Sequence, residues 1–201
     1  MAGQKFQQGV SATDMSLGGG KALSTRRIVV AGVLSAISIL LGVTGLGYIP
    51  VPTAAGNATI MHLPAVVGGI LEGPIVGGII GLIFGLTSFF HSSVPWFKDP
   101  LVSVLPRIFI GIVSYYVYVG MRRIRVPMWV NLAITGFLGS VTNTVLVLVM
   151  VYLQFQESMK ALVTVALVNG TPEAIVSAII SVVVVLAYRG TWKTAAKSRI
   201  S

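Results

Sequence analysis

Residues 58–89 read ATIMHLPAVVGGILEGPIVGGIIGLIFGLTSF. The stretch is almost wholly apolar, its only acid is Glu72, and Gly73-Pro74 interrupts it. A helix cannot continue through this pair without losing a backbone hydrogen bond, because proline has no amide hydrogen. The stretch therefore predicts two apolar helices, each shorter than the roughly 20 residues that span a membrane. They form either a tight helical hairpin or a broken pair that ends before the full membrane thickness.

The composition of the whole chain agrees with a lipid environment. Of its 201 residues, 55% are hydrophobic and 9% are charged, and the mean hydropathy is +0.91. A soluble domain carries about 25% charged residues, so an ordinary soluble enzyme and a disordered chain are excluded. The net charge of +9 does not indicate nucleic acid, because too little polar surface remains for that partner. The chain has no cysteine and contains only two histidines and five acidic residues, so it offers few candidate metal ligands.

Six hydrophobic segments follow a polar, glycine-rich N-terminus. Their approximate bounds are 28–48, 59–71, 74–90, 101–120, 128–152 and 172–188. With the N-terminus inside, eleven of the 14 Lys and Arg residues lie on the inner side, two lie on outer loops and one lies within a span. This bias fits the positive-inside rule and favours an even number of spans.

These segments predict an all-α integral membrane protein, a six-transmembrane-helix bundle with both termini in the cytoplasm. We expect residues 1–24 to form a flexible cytoplasmic tail, residues 25–190 the membrane domain and residues 191–201 a basic cytoplasmic tail. The expected location is the bacterial cell membrane.

Small residues recur at helical spacing on two of the segments. Glycine occupies every fourth position from 69 to 85, and Gly32 and Ala36 form a small pair on the first segment. Such faces let helices approach closely in lipid. Internal packing is the simpler interpretation for both faces, and docking of a membrane partner is the alternative for Gly32 and Ala36.

Polar residues inside the apolar segments indicate a binding site. Arg107 lies about two turns into the fourth segment, where an ionisable residue is costly and suggests function. It can pair with Glu173, near the outer end of a span, or with an anionic group of a ligand. Asn143 lies within the fifth segment and needs a partner on another helix or on a ligand.

The run Asn169-Gly170-Thr171-Pro172-Glu173 has the residues of a helix start. Threonine is a favoured cap, proline is favoured at the first helical position, and an acid is favoured in the first turn. We therefore predict that the sixth helix begins here, at the outer membrane level.

The outer loops supply further candidates for the site. The first loop reads IPVPTAAGNA at residues 49–58, and the third brings His91, Trp96 and Phe97 together. Aromatic residues at this level either anchor the chain at the membrane interface or cover a small-molecule pocket. The sequence has no glycine-rich phosphate loop with its lysine, so we expect no ATP hydrolysis by this chain.

Several of these features resemble the substrate-binding (S) components of energy-coupling factor (ECF) vitamin transporters. They are the six-segment pattern, the Gly32–Ala36 pair, the stretch at residues 58–89 and DPLVSVLPRIFIG at residues 99–111. The resemblance covers about residues 25–190 and implies a non-catalytic six-helix bundle, without a cofactor, that binds a vitamin from outside. It also implies a transmembrane coupling subunit, docked at Gly32 and Ala36, and two cytoplasmic ATPases.

Within this family the sequence looks closest to the pantothenate group, and near relatives carry cobalamin or pyridoxine-like compounds. Pantothenate is a small carboxylate with hydroxyl and amide groups, and Arg107 would meet the carboxylate in a bidentate contact. We expect the pocket in the outer half, formed by the fourth to sixth helices and covered by the first and third loops. The other expected ligand contacts are Asn57, His91, Trp96, Phe97, Asn143, Asn169 and Glu173.

Two other functional classes stay open from the residues alone. A stand-alone secondary carrier would need a coupling-ion or proton site built from the few acids near the spans. A membrane scaffold would bind no vitamin, so no vitamin would raise its melting temperature.

Overall fold

The computed structural model describes residues 24–50 and 57–198, with side chains up to residue 190. These residues form a helical bundle with one small β-hairpin. The elements are α1 (Thr25–Val43), β1 (Tyr48–Pro50), β2 (Asn57–Thr59), α2 (Leu63–Glu72), α3 (Pro74–His91), a 3₁₀ turn (Pro95–Lys98), α4 (Pro100–Ser103), α5 (Leu105–Arg123), α6 (Met128–Phe155), α7 (Met159–Val165), a π-helical turn (Ala166–Gly170) and α8 (Thr171–Ser198). The flexible tail predicted at residues 1–24 lies almost wholly outside the described residues, and α8 continues into the segment assigned to the basic tail.

The predicted all-α membrane fold is confirmed. Within the described part of the chain, five helical segments are long and apolar enough to cross a membrane. Their bounds are Thr25–Val43, Pro74–His91, Pro100–Arg123, Met128–Phe155 and Met159–Gly190. One further apolar helix, α2, is too short to cross. At 1.5 Å per residue it is about 15 Å long, which is half the hydrocarbon thickness.

Helix α2 lies at the centre of the bundle, which explains its short length. It contacts α1, α3, α5, α6 and α8, and nearly all of its residues are buried. It ends at Gly73, whose φ of +102° is accessible to glycine, and Pro74 then begins α3. The predicted break at Gly73-Pro74 is therefore correct, and α2 and α3 pack against each other as a tight helical hairpin, with Gly68 beside Ile80 and Gly69 beside Gly77.

Glycines bring α3 and α5 into backbone contact. A Cβ on Gly77 would lie 2.8 Å from Gly69 Cα and 2.9 Å from Gly111 Cα, so neither neighbouring helix leaves room for a side chain. In the same way, Gly81 faces the backbone of α5 at Arg107, and Gly85 faces the backbone of Val104, the residue before α5. The glycine repeat is thus an internal packing face, as small residues allow in lipid.

Helix α1 lies at the edge of the bundle and exposes most of its surface. Its buried residues are Ser35, Ser38 and Gly42, and Ser38 Oγ donates a hydrogen bond of 3.2 Å to the Met61 carbonyl. Gly32 and Ala36 lie on the exposed side, and a Cβ on Gly32 would meet no atom within 4 Å. Internal packing therefore does not explain this small pair.

Helix α8 begins at Thr171, as the sequence predicts, but Thr171 does not act as a cap. The helical path begins at Met159 and continues through the π-helical turn, and Thr171 has helical φ and ψ of −64° and −54°. Pro172 has no amide hydrogen and its ring needs space in the preceding turn, which a π turn provides. The fourth segment also differs from its prediction, because the chain breaks at Val104 between α4 and α5.

The two ends of the bundle differ in charge. One end, called the basic end below, carries the start of α1, the α2–α3 and α5–α6 junctions and the end of α8. Its described basic residues are Arg26, Arg27, Arg122, Arg123, Arg125 and Arg189. At this end Glu72 pairs with Arg26 at 3.0 Å and with Arg27 at 3.9 Å. The opposite end, called the hairpin end, carries the β-hairpin and the 3₁₀ turn.

Candidate functional site

A cavity opens at the hairpin end of the bundle. The space between its lining atoms is about 680 Å³ when the open solvent at its mouth is included. The wall combines a few polar groups with apolar and aromatic side chains. It is lined by Tyr48, Asn57, Thr59, Phe84, Ser88, Ser92, Val94, Trp96, Phe97, Arg107, Asn143, Thr144, Val147, Leu148, Val165, Asn169 and Glu173.

Arg107 is the central charge of the cavity. The break at Val104 places it in the first turn of α5, and its side chain is buried. Its guanidinium carbon lies 4.8 Å from the centroid of the Phe97 ring and 5.5 Å from that of Phe84. One terminal nitrogen donates a hydrogen bond to the Val102 carbonyl, while Nε has no partner among the described residues. The aromatic contacts hold this cation in place, whereas the positive end of α5 disfavours a lone cation and therefore favours an anion beside it.

Glu173 lies in the same wall but forms no direct ion pair with Arg107. It is buried, and its Oε1 accepts a hydrogen bond from the backbone amide of Thr59 in the hairpin. The direct ion pairs found among the described residues join Glu72 to Arg26 and Arg27, so Arg107 and the Glu173 carboxyl remain separate groups in the cavity wall. One end of a ligand can therefore meet a cation and another end a strong hydrogen-bond acceptor.

Three buried polar atoms of the cavity wall have no hydrogen-bond partner among the described residues. They are Tyr48 Oη, Arg107 Nε and Asn143 Oδ1. An unpaired buried polar group costs about 1–3 kcal/mol, so such a cluster indicates that a polar ligand completes it. Burial raises the pKa of Tyr48 above its usual value, and the nearby Arg107 partly opposes this shift. Tyr48 therefore stays protonated at physiological pH and can donate to a ligand.

The hairpin covers one side of the cavity and is fixed by α8. Asn57 belongs to β2, and its carbonyl accepts a hydrogen bond of 3.0 Å from Asn169 Nδ2 on the π-helical turn. Thr59 binds Glu173 one turn further along the helix. The π turn thus places Asn169 and Glu173 beneath the same hairpin.

The third loop closes another side of the cavity. Trp96 and Phe97 lie in the 3₁₀ turn, and both line the cavity. Trp96 Nε1 donates a hydrogen bond of 3.3 Å to Glu157, which links this loop to the junction of α6 and α7. His91 lies outside the wall at the exposed end of α3, where its Nδ1 is 3.3 Å from the Thr87 carbonyl.

Seven of the eight predicted ligand contacts therefore line one cavity, and His91 does not. The profile of the family described as "ECF transporter, substrate-specific component" matches residues 26–186. This chain belongs to the ECF transporter substrate-specific components, the S components. The family is one of non-catalytic transporter subunits embedded in the membrane.

One curated relative of this S component has an assigned substrate. It is the "Pantothenic acid transporter PanT" of Lactococcus lactis, 28% identical over 155 residues, and the match covers 63% of this chain and 75% of that protein.

Solved structures share the fold of this S component at low identity. The structure titled "Structure and mechanism of the S component of a bacterial ECF transporter" has a TM-score of 0.56 and 17% identity, covering 85% of this chain and 97% of the other. ThiT from Listeria monocytogenes has a TM-score of 0.55 and 15% identity, covering 80% of this chain and 93% of the other. The predicted family and fold are both confirmed by these similarities.

The sequence did not predict every residue of the cavity in this S component. The hydropathy pattern places Tyr48 and Thr59 at the ends of apolar segments and Phe84 in the interior of one, although each lines the wall. Tyr48 carries a usable signal, because a tyrosine at the outer end of a span has a polar tip that needs a partner when buried. Phe84 has no such signal, since its role depends on the Arg107 side chain from another helix.

Proposed function

We propose that this S component binds pantothenate in the cavity at the hairpin end and delivers it to an ATP-driven ECF transporter. The observation that carries the proposal is Arg107, a buried cation in the cavity wall that has no direct ion pair among the described residues. A carboxylate ligand supplies the missing charge, and the bidentate geometry of arginine suits it. The similarity to the PanT transporter supports the same ligand.

Each polar group of pantothenate has a matching partner in this proposal. Arg107 binds the carboxylate, while Asn143 and Tyr48 bind the amide and its neighbouring polar atoms. Glu173 accepts a hydrogen bond from a hydroxyl group. Trp96 and Phe97 form the apolar wall, and Asn57 and Asn169 hold the hairpin over the ligand.

The competing vitamins fit these groups less well. Pyridoxine has no carboxylate and would leave Arg107 without a counter-charge in a buried site, which is costly. Cobalamin is far larger than pantothenate, and the hairpin and the 3₁₀ turn would both have to move aside. We therefore rank pantothenate first.

Transport is proposed to depend on partner proteins. The hairpin end faces outside, as the basic end is expected to face the cytoplasm. The exposed pair Gly32 and Ala36 on α1 is the proposed docking face for the coupling subunit, because small residues allow close helix contact in lipid. The coupling subunit joins two ATPases that supply the energy.

The test is binding and transport with the purified full chain. Calorimetric titration in detergent should show tight binding of pantothenate and weak or no binding of pyridoxine and cobalamin. Proteoliposomes with the S component alone should not accumulate pantothenate, whereas those that also contain the coupling subunit, the ATPases and ATP should. Accumulation by the S component alone would instead support a secondary carrier, and absence of vitamin binding would support a scaffold.

A further inference from the structure

A second polar site lies at the basic end, where α5, α6 and α8 meet. Tyr118 of α5 is buried, and its Oη accepts a hydrogen bond of 2.7 Å from Arg189 Nη2 on α8. The other terminal nitrogen of Arg189 lies 3.7 Å from Met128 Sδ on α6. Arg189 is therefore held in one position by side chains from two other helices.

A second arginine shares the Tyr118 ring. The guanidinium carbon of Arg122 lies 5.9 Å from the ring centroid, and that of Arg189 lies 5.8 Å from it. Two like charges at one ring repel each other, and this repulsion is strongest where water is partly excluded. The arrangement is favourable when an anion lies between or beside the two groups.

The described chain supplies no such anion. Neither Arg122 nor Arg189 forms an ion pair with a carboxylate of the described residues. Each described acid is engaged elsewhere: Glu72 with Arg26 and Arg27, Asp99 with the start of α4, Glu157 with Trp96 and Glu173 with Thr59. The described part of the chain therefore leaves both arginines without a paired carboxylate.

The surroundings of the two arginines are apolar and exposed. Ile124 is 66% exposed and Trp129, next to Met128, is 63% exposed. Exposed aliphatic and tryptophan side chains beside arginine at the end of a membrane helix are typical of the lipid headgroup level. A phospholipid offers a phosphate at this height and acyl chains that can cover these apolar side chains.

We propose that Arg122, Arg189 and Tyr118 form a binding site for an anionic phospholipid. The two guanidinium groups bind headgroup phosphate, and a lipid with two phosphates, such as cardiolipin, engages both. Basic pockets between membrane helices on the cytoplasmic side bind such headgroups. This site lies at the opposite end of the bundle from the vitamin cavity and does not depend on the identity of the vitamin.

The test compares lipid binding by native mass spectrometry of the full chain in a neutral detergent. Cardiolipin and phosphatidylcholine are titrated against the unchanged protein, against R122Q/R189Q and against the control R123Q/R125Q. The control removes the same charge from the same end but leaves the Tyr118 ring with both arginines. Vitamin binding by each variant reports that it is folded.

The unchanged protein should prefer cardiolipin over phosphatidylcholine, and R122Q/R189Q should lose about 25-fold in cardiolipin affinity, about fivefold for each charge. The control should change by less than about threefold, since diffuse attraction alone is screened by salt. If R122Q/R189Q does not fold, R122Q alone is tested. Arg122 is exposed and contacts Tyr118 only through the ring, so this variant should fold. Its cardiolipin affinity should fall about fivefold.

Three results would overturn the lipid site. The first is no preference for cardiolipin in the unchanged protein. The second is an equal loss in the control, which would indicate diffuse charge rather than a site. The third is unchanged lipid affinity of R122Q/R189Q together with failed assembly with the coupling subunit, which would make this surface a protein contact.

Discussion

Asn169 on the π-helical turn donates a hydrogen bond of 3.0 Å to the backbone carbonyl of Asn57, so an irregular turn of one helix holds the hairpin over the cavity. The turn precedes Pro172, whose missing amide hydrogen accounts for the widened geometry. Asn169 therefore connects the cover of the site to its wall, beside the second connection from the Thr59 amide to Glu173.

Replacing Asn169 should loosen the hairpin and speed the escape of the ligand. We expect Asn169→Leu to raise the pantothenate dissociation rate about tenfold, from the loss of one hydrogen bond and the exposure of an unpaired carbonyl. Stopped-flow fluorescence measures this rate. Thr164→Ala on α7 is the control, because Thr164 is exposed and bonds only to its own helix. An unchanged rate in Asn169→Leu would contradict the role of this bond.

Tyr48 offers a substitution that separates binding from stability. Its buried hydroxyl has no partner among the described residues, so Tyr48→Phe should leave the melting temperature of the empty protein unchanged or slightly higher. Pantothenate affinity should fall about tenfold, because the ligand loses a hydrogen bond in a buried site. Thermal unfolding and calorimetry measure the two quantities. Equal affinity in the variant would remove Tyr48 from the ligand contacts.

The contact of α3 and α5 at Gly77 and Gly111 leaves no room for a methyl group. Gly111→Ala should destabilise the protein by about 2–3 kcal/mol, because the two backbones must separate. Gly120→Ala on the same helix is the matched control, since a Cβ there meets no atom within 4 Å. It should be neutral or stabilising by up to about 1 kcal/mol. Similar unfolding temperatures of the two variants would refute the close packing.

The proposed docking face on α1 is tested by placing a large side chain at Gly32, where a Cβ meets no other atom of the bundle within 4 Å. Gly32→Leu should bind pantothenate with unchanged affinity but fail to co-purify with the coupling subunit and the ATPases. Gly120→Leu carries the same change at a second open glycine on another helix and should assemble normally. Normal assembly of Gly32→Leu, or failure of both variants, would place the docking surface elsewhere.

The sequence predicted most of the fold because lipid leaves few choices. Charge bias and apolar length indicated the number of helices, and Gly73-Pro74 indicated the break between α2 and α3, although it left open whether they pack as a hairpin. The hairpin could not be predicted, since strands of three residues carry no usable alternation. Thr171-Pro172 has the local chemistry of a helix start, yet the longer helix from Met159 overrides it through a π turn.

The candidate site was predictable in part for a similar reason. Arg107 and Asn143 are conspicuous because polar groups are costly inside a membrane. Phe84 and Thr59 could not be found, since their places depend on the approach of separate helices and of the hairpin backbone. His91 is polar and near the site in sequence, but the end of α3 leaves it exposed outside the wall.

The central claim is that Arg107 recognises the carboxylate of pantothenate. The most direct test is calorimetric titration of the unchanged protein and of Arg107→Gln. Each protein is titrated with pantothenate and with pantothenol, in which an alcohol replaces the carboxylate. Pantothenate should bind at least about 100-fold more tightly than pantothenol to the unchanged protein, a value typical of a buried charge-assisted contact. Arg107→Gln should bind the two ligands about equally. A preference for pantothenate that persists undiminished in Arg107→Gln would contradict the account.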